Sequence, residues 1–163
     1  MIIRTAEEKD VSRLRDIYNY EVVHGVATFD TEQKSLEDRM EWFRQHNIGN
    51  HPLLVAELDG VVAGFASLSR YRERAAYDAT VELSVYVAPE LRRRGVARKL
   101  MEAILEEARA RDDIHTVISV ITGGNEGSIR LHEEFGFSFS GVLKETGEKF
   151  GRWLDVVNYQ LMV

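Results

Sequence analysis

Cysteine is absent from all 163 residues, which removes disulfides, zinc–thiolate centres and a thiol nucleophile together. Basic charge is scarce: 21 Lys and Arg against 27 Asp and Glu leave a formal net charge of −6. Affinity for nucleic acid of any sequence comes from neutralising phosphates with an excess of cationic side chains, so the balance argues against such a binder. No run of about 18 apolar residues is present to span a membrane as a helix. The opening MIIRTAEEKD becomes acidic within seven positions and lacks the apolar segment of a signal peptide, which points to a cytoplasmic protein with small-molecule partners. Only Pro52 and Pro89 interrupt the chain, and no repeat or low-complexity tract divides it. A 44% hydrophobic chain of this length fills one core, so a single domain over residues 1–163 is expected.

Hydrophobic spacing supplies the elements. Ile2 and Ile3 begin a strand, and Val11, Leu14, Ile17, Tyr18 and Val22 then recur at helical intervals. Ser35 and Asp38 make a capping-box pair ahead of a second helix, whose inner face reads as Leu36, Met40 and Phe43. LLVAEL and VVAGFASLS flank Asp59-Gly60, a tight-hairpin dipeptide. In TVELSVYV (80–87), Val81, Leu83, Val85 and Val87 alternate with Glu82, Ser84 and Tyr86, the pattern of a central strand. Val96, Leu100, Ala103, Ile104 and Ala108 trace a third helix, and HTVISVIT (115–122) a buried strand. A short helix over about 128–135 ends at Gly136, and two strands around Gly147 and Gly151 close a mixed α/β order. Trp42, Phe43 and Trp153 are assigned to the core, since large aromatics mainly serve packing.

Residues 84–98, SVYVAPELRRRGVAR, place Arg92, Arg93 and Arg94 at the start of a helix. A short basic run is usually a solvated turn. Cations complement the other end of a helix dipole, however, so three of them here conflict with it unless an anion binds. Gly95 allows close backbone approach, Ala97 adds little bulk, and the first-turn N–H groups are free to bind a pyrophosphate. Neither GxxxxGK followed by Ser or Thr nor GxGxxG after the first strand occurs, which weakens an ATPase or dinucleotide-enzyme reading. What occurs is Arg92-x-x-Gly95-x-Ala97, directly after a strand and before an amphipathic helix.

That pattern resembles the Q/R-x-x-G-x-G/A acetyl-CoA signature of the GNAT N-acetyltransferases, and NEGSIRLHEEFGF (125–137) is similar to the segment that follows that family's fifth strand. ATFDTEQKSLEDRMEWF (27–43), AYDATVELSVYV (76–87) and GRWLDV (151–156) resemble blocks of the phosphinothricin and methionine sulfoximine type of acetyltransferase, with Gln33 standing where a proline often occurs. The resemblance implies a mostly antiparallel central sheet flanked by helices, acetyl-CoA as donor without a metal, and a homodimer. It also implies transfer of acetyl to the primary amine of a small amino acid or analogue. By the same resemblance, backbone groups of Val85, Tyr86 and Val87 would pair with the pantetheine arm, and Arg92, Arg93, Arg94, Gly95, Val96, Ala97 and Arg98 would hold the pyrophosphate. Asn125 and Ser128 would complete the cofactor contacts.

Glu82 is the acidic residue of its strand; alternation could send it to water, whereas the family match makes it the base that deprotonates an α-ammonium. His132 stands where relatives carry a tyrosine that protonates the departing thiolate, or is a histidine satisfied on a helix face. An acceptor carboxylate calls for an arginine. Arg70, Arg72 and Arg74 share one face by alternation and could equally be rim residues; Arg72 is the expected anchor, with Phe29, Ala75, Ala76 and Tyr77 around the acceptor by resemblance. Two alternatives stay open: acetylation of a protein N-terminus or lysine, and a non-catalytic acetyl-CoA-binding module.

Overall fold

A computed structural model describes residues 1–163. Seven strands form one sheet in the order β1-β2-β3-β4-β5-β7-β6: β1 (Ile2–Thr5), β2 (Leu53–Leu58), β3 (Val61–Arg70), β4 (Thr80–Val87), β5 (Thr116–Thr122), β6 (Ser138–Lys149) and β7 (Arg152–Met162). Every neighbouring pair is antiparallel except β4 and β5. Four helices accompany them, α1 (Val11–His24), α2 (Leu36–Arg44), α3 (Val96–Arg109) and α4 (Glu126–Glu134). The mixed, mostly antiparallel sheet with flanking helices is the expected architecture, and no helix is long and apolar enough to cross a membrane.

Strand alternation divides two apolar layers. Leu54, Ala66, Leu68, Val81 and Leu83 pack against Val96, Leu100, Ile104 and Leu105 of α3. Leu53, Val55 and Phe65 face Leu14 and Ile17 of α1 on the other side. Since Val81 and Leu83 turn toward α3, Glu82, Ser84 and Tyr86 must turn toward α1 and α2. Glu82 is therefore committed to the helix-covered face, and alternation does not carry it to open solvent.

Helix α2 begins as expected. The Ser35 hydroxyl accepts from the Asp38 N–H at 3.0 Å, and the Asp38 carboxylate accepts from the Ser35 N–H at 2.9 Å. Its buried face matches the expected one at Phe43, which packs against the second core, and differs elsewhere: Leu36 is 46% exposed, whereas Arg39 is 4% exposed. The register that faces the sheet is Arg39, Trp42 and His46, with His46 Nε2 and Ser69 Oγ 2.8 Å apart. Trp153 is also not core. It is 62% exposed, because the outer β6–β7 hairpin extends beyond the two helix-packed layers.

Gly64 sets how near α3 can lie to the sheet. A Cβ there would stand 2.6 Å from the Tyr86 carbonyl oxygen and 3.1 Å from Val96 Cγ1. Gly64→Ala is expected to lower stability by about 1–3 kcal/mol through this overpacking, read as a drop in urea midpoint at constant slope. An unchanged midpoint would show that the first turn of α3 can move off the strand without cost.

Candidate active site

The central feature is a strand junction that stops early. Strands β4 and β5 pair only through Thr80–Glu82 and Thr116–Ile118, although β4 runs on to Val87 and β5 to Thr122. On its other side β4 pairs with β3 along its whole length, from Val81–Arg70 to Val87–Gly64. From Leu83 onward the backbone groups of β4 that point toward β5 therefore lack a strand partner. A groove of about 80 Å³ lies in the parting, between Leu83–Tyr86 on one wall and Ser119–Thr122 on the other.

Beyond the end of β4, the chain turns through Pro89–Leu91 into the basic segment, and α3 starts beside the mouth of the parting. Arg93 and Gly95 both adopt positive φ, 59° and 79°. Gly95 is the N-cap of α3, and the first intrahelical bond is Lys99 N–H to the Gly95 carbonyl at 3.1 Å, which leaves the N–H groups of the opening turn without an intrahelical partner. The arginines divide their work. Arg92 pairs with Glu21 and Arg98 with Glu134, while Arg93 and Arg94 stay exposed without an ion pair. Free backbone donors at a helix N-terminus, next to uncommitted cations, fit a diphosphate; unpaired strand groups in the parting fit an amide-bearing arm.

Helix α4 closes the far wall. Asn125 caps it, its Oδ1 accepting from the Ser128 N–H at 3.3 Å, so only its side-chain amide nitrogen is left to donate into the groove. His132 also lines the groove, with Nδ1 2.7 Å from the Ser128 carbonyl. That carbonyl can only accept, so Nδ1 carries the proton and Nε2 the lone pair. Burial pulls the ring's pKa down. In the neutral ring the proton sits on Nδ1, so His132 could protonate a departing thiolate only after Nε2 had itself taken up a proton.

The groove opens onto a cavity of about 730 Å³, sharing Ala27, Ser84, Tyr86, Val120 and Thr122 with it. The cavity floor is the polar face of two paired strands, Phe65, Ser67 and Ser69 opposite Tyr86, Ser84 and Glu82. Arg39 and Trp42 descend from α2, and Phe29 stands at the rim, packed on the backbone of Gly147. Glu82 forms no ion pair or side-chain hydrogen bond, and burial pushes its carboxyl above the ordinary carboxylate range. A proton-accepting group that is desolvated and unpaired beside an open cleft is the arrangement expected of a general base.

Of the acceptor residues expected from the sequence, the cavity includes Phe29 and Glu82. Arg72, Ala75, Ala76 and Tyr77 lie outside its lining, in the β3–β4 connection, where the Arg72 guanidinium sits 5.0 Å over the Tyr71 ring and 5.7 Å over the Tyr77 ring. Alternation fails for these arginines because β3 ends at Arg70, whose own guanidinium bends back to the carbonyls of Arg72 and Glu73. Trp42, expected in the core, packs against the second core and also lines the cavity. Sequence reasoning missed Arg39 and the serines of the floor. The Arg39, Trp42, His46 spacing was a second helical stripe that a reading restricted to apolar residues passes over.

Comparison with known proteins agrees with this geometry. The profile of the acetyltransferase (GNAT) family matches residues 14–137. An L-methionine sulfoximine/L-methionine sulfone acetyltransferase of Salmonella typhimurium is 37% identical over 163 residues, covering 100% of this chain and 95% of that protein. Among solved structures, a ribosomal-protein-alanine N-acetyltransferase from Brucella melitensis superposes with a TM-score of 0.96 at 40% identity, covering 100% of both chains. A phosphinothricin acetyltransferase of the GNAT superfamily from Sinorhizobium meliloti, solved with acetyl-CoA, gives 0.95 at 34% identity over 99% of this chain and 88% of that one. With a parted strand pair, a left-handed turn before α3 and a full-length match to these enzymes, the chain belongs to the acetyltransferase (GNAT) family.

Proposed function

We propose that this protein moves an acetyl group from acetyl-CoA to the primary amine of a small amino acid or amino-acid analogue, with Glu82 as the base. The observation that carries the reading is Glu82 itself, an unpaired carboxylate raised by burial on the floor of a cavity continuous with the β4–β5 parting. Bound acetyl-CoA supplies an acyl thioester open to attack. Backbone groups of Val85, Tyr86 and Val87 would hold its pantetheine arm, with the Asn125 amide and Ser128 on the opposite wall. The N–H groups around Gly95, Val96, Ala97 and Arg98 would hold its diphosphate, with Arg93 and Arg94 adding charge.

The acceptor enters the cavity as an ammonium, which has no lone pair. Glu82 takes one proton from it, directly or through a water, and the freed nitrogen lone pair forms the carbon–nitrogen bond as the carbon–sulfur bond breaks; the second proton, which the nitrogen sheds on becoming an amide, passes to the departing thiolate to give CoA thiol. A carboxyl of raised pKa suits this transfer, because its affinity for the proton lies closer to that of an α-amine. Free amino acids of the methionine sulfoximine, methionine sulfone and phosphinothricin kind match the names of the relatives. The Brucella structure favours a second reading, an N-terminal alanine of a protein, which also presents an α-amine. We further place the enzyme in the cytoplasm as a homodimer. Phe139, Leu143, Phe150 and Trp153 support the pairing, because each is more than half exposed on the β6–β7 hairpin.

Four measurements test this. Acetyl-CoA with a panel of free amino acids and an alanine-starting peptide should release CoA with the amino acids; release only with the peptide would transfer the assignment to the second reading. Glu82→Gln should lower kcat by roughly 10²- to 10⁴-fold. The same variant should unfold at a higher temperature at pH 8. Burial raises the folded-state pKa, so the unfolded chain releases its proton first as pH rises, and the wild-type carboxyl destabilises the fold above that range. The advantage should vanish as pH falls below the ordinary value of 4.5, where both states are protonated. A constant Tm difference across that window would mean that Glu82 is fully solvated. Sedimentation should give a dimer that Trp153→Glu shifts toward monomer; a wild-type monomer at all concentrations would exclude the pairing.

A further inference from the structure

Arg39 is the charge that the proposed chemistry leaves unused. Its residue is 4% exposed, yet it takes part in no ion pair, and its Nε is one of two buried side-chain polar atoms without a hydrogen-bond partner. Three aromatic rings surround it, with the guanidinium carbon 3.5 Å from the Trp42 centroid, 4.5 Å from Tyr18 and 5.2 Å from Phe65. The nearby carboxylate of Asp30 is already engaged by the Tyr18 hydroxyl and by Lys34 Nζ at 3.5 Å.

A guanidinium buried in this way is costly unless something meets its N–H groups. A methionine or leucine would pack against the same rings without that cost, so packing does not explain an arginine. Burial lowers its pKa to about 10, which leaves it cationic at neutral pH. Rings contact the faces of the planar group and orient it, while the donors lie along its edge. Since Nε is sealed and the Nη groups are not, the Nη edge is what the cavity meets. Glu82 lies along the same floor. Phe65, beside Arg39, pairs with Tyr86, and Ser69 pairs with Glu82. Four residues of strand, roughly 13 Å, separate those two levels, which is room for one small acceptor between a base and a cation.

We propose that Arg39 receives an oxygen-bearing end of the acceptor, either its carboxylate or the oxo group at the tip of its side chain, through the Nη groups that face the cavity. The assignment rests on the amino-acid reading above and makes Arg39 the selectivity residue of that site. Guanidinium edges match paired oxygens in a way an ammonium does not, so Arg39 would select acceptors that carry such oxygens over amines of equal size that lack them.

The test compares kcat/KM for methionine sulfone, its carboxamide, which lacks the carboxylate, and methionine, which lacks the sulfone oxygens. Wild type should prefer methionine sulfone over at least one analogue by roughly 10²-fold or more. In Arg39→Met that preference should fall to within about threefold, and the analogue affected identifies which end Arg39 holds. Arg39→Lys, which keeps the charge without the fork, should lie between the two and serves if Arg39→Met does not fold. Arg72→Ala should retain the wild-type preference. Full preference in Arg39→Met, absence of any preference in wild type, or loss in Arg72→Ala alone would each overturn the assignment. If wild type acetylates no free amino acid, the amino-acid reading itself falls, an outcome distinct from these.

Discussion

Three residue pairs, Thr80–Glu82 against Thr116–Ile118, hold β4 to β5 before the strands separate, and the rest of the site depends on where that pairing stops. Had the ladder continued to Val87, the groove would be closed and the backbone groups of β4 consumed. Parallel strands need a crossover between them, and here α3 supplies it. The same connection therefore joins the two strands and delivers a helix N-terminus to the place where they part. Gly64 lets that first turn lie against the sheet, so one small residue sets how near the N-terminus of α3 lies to Tyr86 of β4.

The second constraint is the two-residue period of β3 and β4. One face carries Leu68, Val81 and Leu83 into the larger core; the other presents Ser67, Ser69, Ser84 and Glu82 to a cavity. A layer of serines and a carboxylate would be a poor surface on which to pack an apolar helix. Helix α2 accordingly meets it with Arg39, Trp42 and His46, and the His46–Ser69 contact holds the helix end above the strand. Burial depresses the His46 ring to about pKa 4, so that contact is made by a neutral imidazole across the physiological range.

Much of this was legible in the sequence because it rests on short-range rules. The Ser35–Asp38 box, the Asp59-Gly60 hairpin, the alternation in TVELSVYV and the Arg92-x-x-Gly95-x-Ala97 turn all act within a few residues, and each formed where the pattern placed it. The contents of the cavity were less legible. Arg39 reaches it from a helix whose apolar residues suggested a different inner face, and Arg72 lies beyond the last residue to which β3's alternation applies. The orientation of Trp153 depends on what covers a hairpin, a property of the assembled sheet that no local pattern encodes. The charge state of His132 depends on one carbonyl, that of Ser128, and on burial; spacing alone conveys neither.

Lys149 gives the hairpin a reach beyond its own strands. Its ammonium, in a residue 4% exposed, donates to the carbonyls of Glu21 at 3.1 Å and Thr28 at 2.9 Å, at either end of the stretch that leads to Phe29. Phe29 in turn rests on Gly147 of the same hairpin. The cavity entrance thus hangs from the outermost strands like a door frame from a wall. Where the β6–β7 hairpin lies therefore fixes where the Phe29 edge of the cavity lies.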